Sequence, residues 1–370
     1  MNPLLQLRKQ GQSIWLDYIR RDLIRGGQLK RLIEEDGLRG VTSNPSIFEK
    51  AIDDSTQYDE ALRALFTRKP RTEARDIYDE LVIEDVREAA DTLLPAYNQS
   101  GGHDGFVSIE PPPQLTRDTQ ATVREGQRLW HTVNRPNLMI KVVATSEGVE
   151  AVETLLAMGI NVNITLMFSL SHYEAVANAY IRALQRCAEP EKVASVASFF
   201  VSRVDTQVDT ALDAIGTPQA LALRGKIAIA NSKKVYQRFR EIFYGQDFAK
   251  LKQRGARVQR PLWASTSTKD AHFSDVLYVE ELIGPDTVNT LPLKTLEAFR
   301  QHGRVRGNTA QEDLSTADDQ LRTLSKLGID LKAITEKLQV DGVKAFAAAY
   351  DRVLAALDKK RAGMTIGATA

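Results

Sequence analysis

The feature that most constrains this chain is an exchange of period repeated eight times. Short runs with the two-residue period of a β-strand alternate with longer stretches of helical period. Strands joined through helices run parallel, because the crossover returns the chain to the same end of the sheet. The strand segments are read at 13–18, 40–44, 106–110, 138–143, 161–166, 196–201, 261–266 and 287–291. Helices are expected at 4–10, 20–35, 118–133, 146–158, 171–187, 207–214, 220–244, 275–283 and 293–302. A mostly helical insertion covers 54–97 with a break at 70–72, and two C-terminal helices part near 340–342. In the helix at 146–158, Ser146 is read as the cap.

Eight parallel strands in chain order suffice to close a cylinder. The expected fold is therefore α/β, a single (β/α)8 TIM barrel with additional helices at the N-terminus, after strand two and at the C-terminus. A doubly wound open sheet is the alternative, and it usually carries a glycine-rich phosphate loop after strand one. Asp17-Tyr18-Ile19-Arg20-Arg21 contains no glycine. Neither a linker-like stretch nor an internal repeat divides the chain. One domain over 1–370 is expected, with the barrel at about 13–302 and the extra C-terminal helices at about 309–358.

Lys and Arg total 49 against 48 acidic residues, so no charge excess points to nucleic acid or a membrane surface. Hydrophobic content of 43% and charged content of 26% are those of an ordinary soluble protein. Cys187 is the single cysteine, so no internal disulfide can form, and a structural role at a helix end is expected for it. With no signal-peptide pattern and no apolar run long enough to span a bilayer, the expected compartment is the cytoplasm. The five histidines show no ligand spacing, so no metal is expected. The residues set no oligomeric state.

Lys141 stands inside Leu138-Met139-Ile140-Lys141-Val142-Val143, otherwise a wholly apolar strand. Removing an ammonium from water is costly and favours the neutral amine, which is a nucleophile for carbonyl carbon. The plainer reading is a strand-tip lysine that snorkels to solvent or pairs with a carboxylate. Ser108 and Glu110 share one face of strand three, Asn163 and Thr165 one face of strand five, and Thr42 and Asn44 one face of strand two. Asp17 ends strand one. In a barrel, polar groups facing inward near the C-terminal strand ends are where chemistry is kept. One amine and two carboxylates in one interior could form an imine and move protons. Each residue also has a structural alternative. Asp17 could cap the next helix, Glu110 before Pro111 could be a solvated loop residue, and Thr42 and Asn44 before Pro45 make a turn and helix start. Ser108, Asn163, Thr165 and Ser198 could satisfy backbone groups.

Gly40-Val41-Thr42-Ser43-Asn44-Pro45-Ser46, Ser108-Ile109-Glu110, Met139-Ile140-Lys141-Val142 and Gly159-Ile160-Asn161-Val162-Asn163-Ile164-Thr165-Leu166 resemble, in order, the strand motifs of the transaldolases. The resemblance runs from about Ile14 to about Phe299 and is to the long bacterial form also found fused to an isomerase. It implies a class I aldolase-type barrel that works without cofactor or metal on small sugar phosphates. Lys141 then matches the lysine that forms the Schiff base, Glu110 the acid/base acting through a water, and Asp17 the acid/base at the C4 hydroxyl. Thr42, Asn44, Ser108, Asn163, Thr165 and Ser198 match residues that position the water or the dihydroxyacetone hydroxyls. Phe200 stands where transaldolases carry phenylalanine and fructose 6-phosphate aldolases tyrosine; alternatively it is core. Arg203 matches a phosphate-binding arginine. In Trp263-Ala264-Ser265-Thr266-Ser267-Thr268-Lys269, Ser267 and Lys269 fall in the phosphate motif, with lysine where many members have a second arginine. Lysine keeps the charge but loses the bidentate fork. The structural alternatives are an Arg203–Asp205 surface pair, Ser267 as a helix cap, and Lys269 as a solvated charge beside Asp270. The activity implied is transfer of dihydroxyacetone between sugar phosphates. A Schiff-base aldolase that releases dihydroxyacetone and a non-catalytic sugar-phosphate-binding barrel are the alternatives.

Overall fold

The computed structural model describes residues 2–53, 56–69 and 71–366. Eight strands form a closed parallel barrel in chain order: β1 (Gln12–Leu16), β2 (Gly40–Val41), β3 (Phe106–Ile109), β4 (Leu138–Val143), β5 (Val162–Met167), β6 (Ser195–Phe200), β7 (Arg260–Ala264) and β8 (Thr287–Leu291). The pairing of β1 with β8, from Gln12 opposite Thr287 to Leu16 opposite Leu291, closes it. The TIM-barrel expectation is met, and the boundaries of β4 and β8 are those read from the sequence. All eight strands are buried but for the first residue of β7, since helices cover the outer face and side chains fill the lumen.

Several expectations are corrected. Strand two ends at Val41 instead of residue 44, because Ser43 turns inward: its hydroxyl donates to the Ser108 carbonyl at 2.8 Å. The helix expected over 20–35 is two, Arg21–Arg25 and Gln28–Glu35, separated where Gly27 adopts a φ of +75°. The stretch 220–244 likewise divides into Pro218–Leu221 and Ile227–Phe243. Thr145, not Ser146, caps the helix Ser146–Ala157, accepting from the Gly148 amide. After β2 the insertion is Pro45–Asp53, Asp59–Arg68 and Ala74–Gln99; the expected break at 70–72 and the insertion's start at 54 fall partly outside the described residues.

The break between the C-terminal helices is also misplaced. They are Leu314–Lys326 and Leu331–Ile366, parted at Gly328 with φ +81°, while Gly342 lies within the second helix. The helix passes close to β5 there: a Cβ on Gly342 would stand 2.9 Å from Leu166 Cδ2, so any larger residue would make that side chain shift. Gln339 donates to the carbonyls of Ala144 and Leu166, fastening the helix across the C-terminal ends of β4 and β5. Farther along, Arg352 pairs with Glu49 of Pro45–Asp53 at 2.5 Å. The helix thus roofs part of the barrel mouth.

Candidate active site

Lys141 emerges from the middle of β4 with 6% of its side chain exposed. Its Nζ donates to the Ser43 carbonyl at 2.8 Å and lies 3.0 Å from Glu110 Oε1. Phe346 of the C-terminal helix places its ring centroid 5.8 Å from the same nitrogen. The amine is therefore held on three sides and shielded from bulk solvent. The carboxylate pairing anticipated in the plainer reading is present; the excursion to solvent is not.

Glu110 directly follows β3 and is 9% exposed. Its contact with Lys141 is an ion pair by distance, and neither carboxylate oxygen accepts a well-directed hydrogen bond within the described residues. Burial raises its pKa, opposed by the charge and contact of Lys141 and assisted by Asp17. A carboxylate of raised basicity this close to an amine is suited to exchange a proton with it. Glu110 is thus not a solvated loop residue.

Asp17 follows β1, and the next helix takes Arg20 as its cap, so Asp17 is not spent on capping. Its Oδ1 accepts from the Thr42 hydroxyl at 2.8 Å, and Thr42 Oγ1 lies 2.8 Å from Thr290 Oγ1. Because Thr42 has one proton and gives it to the carboxylate, Thr290 is the donor in the second contact. Burial raises the Asp17 pKa, while Lys141, the Thr42 hydrogen bond, Arg203 and Lys269 oppose the rise.

Across the lumen, Ser198 donates to Asn163 Oδ1 at 2.6 Å and Asn163 Nδ2 donates to Ser108 Oγ at 3.0 Å. The three form one polar ladder over β6, β5 and β3. The hydroxyl of Thr165 is buried and has no partner among the described residues. Asn44 takes a different part: its Oδ1 accepts from the Ile47 amide, starting the helix Pro45–Asp53.

Arg203 lies with its guanidinium 5.0 Å from the Phe200 centroid, and Phe200 packs on Phe168 at 5.3 Å. Asp205 does not pair with it. That carboxylate is buried and accepts from the Ala228 amide and the Tyr278 hydroxyl. Asp270 likewise pairs with Arg224 and His272 and leaves Lys269 aside. Lys269 donates to Ser267 Oγ at 2.6 Å, so Ser267 is not a helix cap. Among the described residues neither Arg203 nor Lys269 has a carboxylate within ion-pair distance. Both pKa values are lowered first by desolvation and raised by Asp17, and Arg203 lowers Lys269 further. Two uncompensated cations beside the carboxylate form a place for an anion.

The sequence reading missed Thr290, Phe346 and the Ser43 carbonyl. Thr290 was within reach, because the two-residue period puts Val288 and Thr290 on one face at the C-terminal end of the last strand. Phe346 carried no signal, since its helix reaches Lys141 only through the tertiary path.

A family model described as Transaldolase/Fructose-6-phosphate aldolase matches residues 14–357. The chain belongs to the transaldolase/fructose-6-phosphate aldolase family. Among curated relatives, a transaldolase of Thiobacillus denitrificans is 48% identical over 359 residues, 96% of this chain and 99% of that protein. A transaldolase of Frankia alni is 44% identical, covering 95% of this chain and 96% of its own. One of Mycolicibacterium smegmatis is 44% identical with the same coverage. These likenesses extend beyond the barrel strands into the C-terminal helix, so the roof over Lys141 belongs to the part of the chain that the family comparison spans.

Proposed function

We propose that this protein is a transaldolase. It transfers dihydroxyacetone reversibly from sedoheptulose 7-phosphate to glyceraldehyde 3-phosphate, giving erythrose 4-phosphate and fructose 6-phosphate, in the non-oxidative pentose phosphate pathway. The observation that carries the reading is Lys141, shielded from solvent and 3.0 Å from Glu110, in a chain with transaldolase relatives at 44–48% identity.

The proposed steps follow from the site. Lys141 passes its extra proton to Glu110, and the amine attacks the C2 carbonyl of the ketose. Glu110 protonates the hydroxyl of the resulting carbinolamine, which leaves as water to give the iminium. Asp17 takes the proton of the C4 hydroxyl as the C3–C4 bond breaks, and the bond's electrons move into the iminium to form an enamine. The aldose departs. An acceptor aldehyde then enters, enamine C3 attacks its carbonyl carbon, and Asp17 returns the proton to the new hydroxyl. Water added at C2 with help from Glu110 frees the product and Lys141. Ser108, Asn163, Thr165 and Ser198 bind the dihydroxyacetone hydroxyls, with Asn44 beside them. Arg203, Lys269 and Ser267 hold the phosphate, and Phe200 lines the reacting end.

The compartment proposed is the cytoplasm, on the lone buried Cys187; among the described residues no helix is long and apolar enough to cross a membrane. The substrates proposed are small sugar phosphates, with neither nucleic acid nor membrane as partner. The test is an assay with fructose 6-phosphate as donor and erythrose 4-phosphate as acceptor. Sedoheptulose 7-phosphate should form far faster than free dihydroxyacetone, whereas dihydroxyacetone without transfer product would make the protein an aldolase.

A further inference from the structure

The barrel has a second end, at which none of the proposed chemistry takes place. Around the N-terminal ends of β4, β6, β7 and β8 lies a cavity of about 270 Å³, bounded by Met139, Ser195, Arg260 and Asp286 with Lys252, Arg257 and His103. Its charge is unbalanced. Arg260 reaches Asp104 at 3.4 Å, but Asp104 is already the acceptor for Ser13 and for Trp15 Nε1. Asp286 accepts the Tyr244 hydroxyl.

Arg257 and Lys252 form no ion pair among the described residues. Arg257 instead donates to the carbonyls of Gly101 and Gly102, which fixes its fork at the cavity wall. Its half-buried guanidinium is disfavoured by desolvation and by the neighbouring Arg260, with Glu191, Tyr97 and Tyr180 opposing. His103 is pushed toward its neutral form by burial and by the same two arginines, so it adds a hydrogen-bonding ring without adding charge near neutral pH. A held guanidinium, a lysine whose Nζ stands 5.8 Å from the Tyr244 ring centroid without a carboxylate partner among the described residues, and an imidazole around one small concavity match a phosphate dianion. The volume lies just under the range of about 300–1,000 Å³ usual for ligand pockets, which suits a molecule of few carbons.

We infer that the N-terminal end of the barrel carries a second anion site, lined by Lys252, Arg257, Arg260 and His103, that binds the phosphate group of a small phosphorylated metabolite. It is separate from the Arg203 and Lys269 cluster at the other end and does not depend on the reaction proposed for that end.

The test begins from an Arg203→Gln/Lys269→Gln variant, which removes the cations at the reaction end. Calorimetric titration with inorganic phosphate at low ionic strength should still give one bound phosphate per chain. Adding Lys252→Gln, at an exposed position, should weaken that binding at least tenfold, and adding Arg257→Gln should do the same. The inference is overturned if the starting variant binds no phosphate, if neither added substitution changes the affinity, or if sodium chloride at matched ionic strength gives the same heat. Failure of the proposed reaction would instead show as loss of ketose trapping on Lys141 in the protein with Arg203 and Lys269 intact, which the phosphate titration does not read.

Discussion

At the scale of single residues, burial sets the chemistry. Lys141, Glu110 and Asp17 are the charges that a barrel lumen would ordinarily exclude, and each is brought in with an opposing partner. Their positions were legible because period two marks which side chains face inward, and a charge on an apolar strand is conspicuous. Thr290 obeys the same rule and was overlooked because a lone threonine is not. Lys269 tests the phosphate grip: Lys269→Ala should raise KM for phosphorylated sugars about tenfold, the ~1.4 kcal/mol of one charge-assisted hydrogen bond, with little change in kcat. An unchanged KM would return it to the solvated charges. Asp205, away from the chemistry, gives a pH prediction. Burial raises it to about 7, so the folded chain keeps a proton that the unfolded chain releases above its ordinary value of 3.8. Stability is therefore full at low pH and is lost as pH rises toward 7, by at most roughly 4 kcal/mol from this group. Asp205→Asn, which keeps an acceptor oxygen for the Ala228 amide and offers its NH2 to the Tyr278 oxygen, should show a smaller fall in Tm than the wild type between pH 5 and 8; an equal fall would remove Asp205 as the cause.

At the scale of elements, strands were easier to read than helix breaks. The eight strands lie where the alternation puts them to within a few residues, since both faces of each are fixed by burial. Helix breaks depend on which glycine is asked to turn. Gly342 and Gly328 are equal as letters, yet Gly328 takes a left-handed φ while Gly342 stays helical to let Leu166 approach. That helix matters because it brings Phe346, 6% exposed, over the amine. Phe346→Ala should cost roughly 3 kcal/mol of stability, the lower end for a buried phenylalanine, and open Lys141 to water. Water then competes with the acceptor aldehyde, so the ratio of free dihydroxyacetone to transfer product should rise several-fold. If the ratio stays the same while Tm falls, the ring is packing alone.

At the scale of the whole molecule, the barrel and its C-terminal helix are proposed to be one cooperative unit. The helix Leu331–Ile366 contacts β5, the inserted helices and the helix after β6, and its Gln339 satisfies two strand-end carbonyls. Calorimetry should show one unfolding transition, and two separable transitions would divide the chain into domains. The helix continues through Ile366, and residues 367–370 lie outside the described residues. The closed barrel explains why one small set of side chains from β1, β3 and β4 can meet at all. The most direct measurement of the account is the intact mass of the protein after borohydride reduction with fructose 6-phosphate, followed by peptide mapping. One reduced dihydroxyacetone adduct per chain on Lys141, absent from Lys141→Ala, is the predicted result; an unchanged mass, or an adduct on any other lysine, would contradict it.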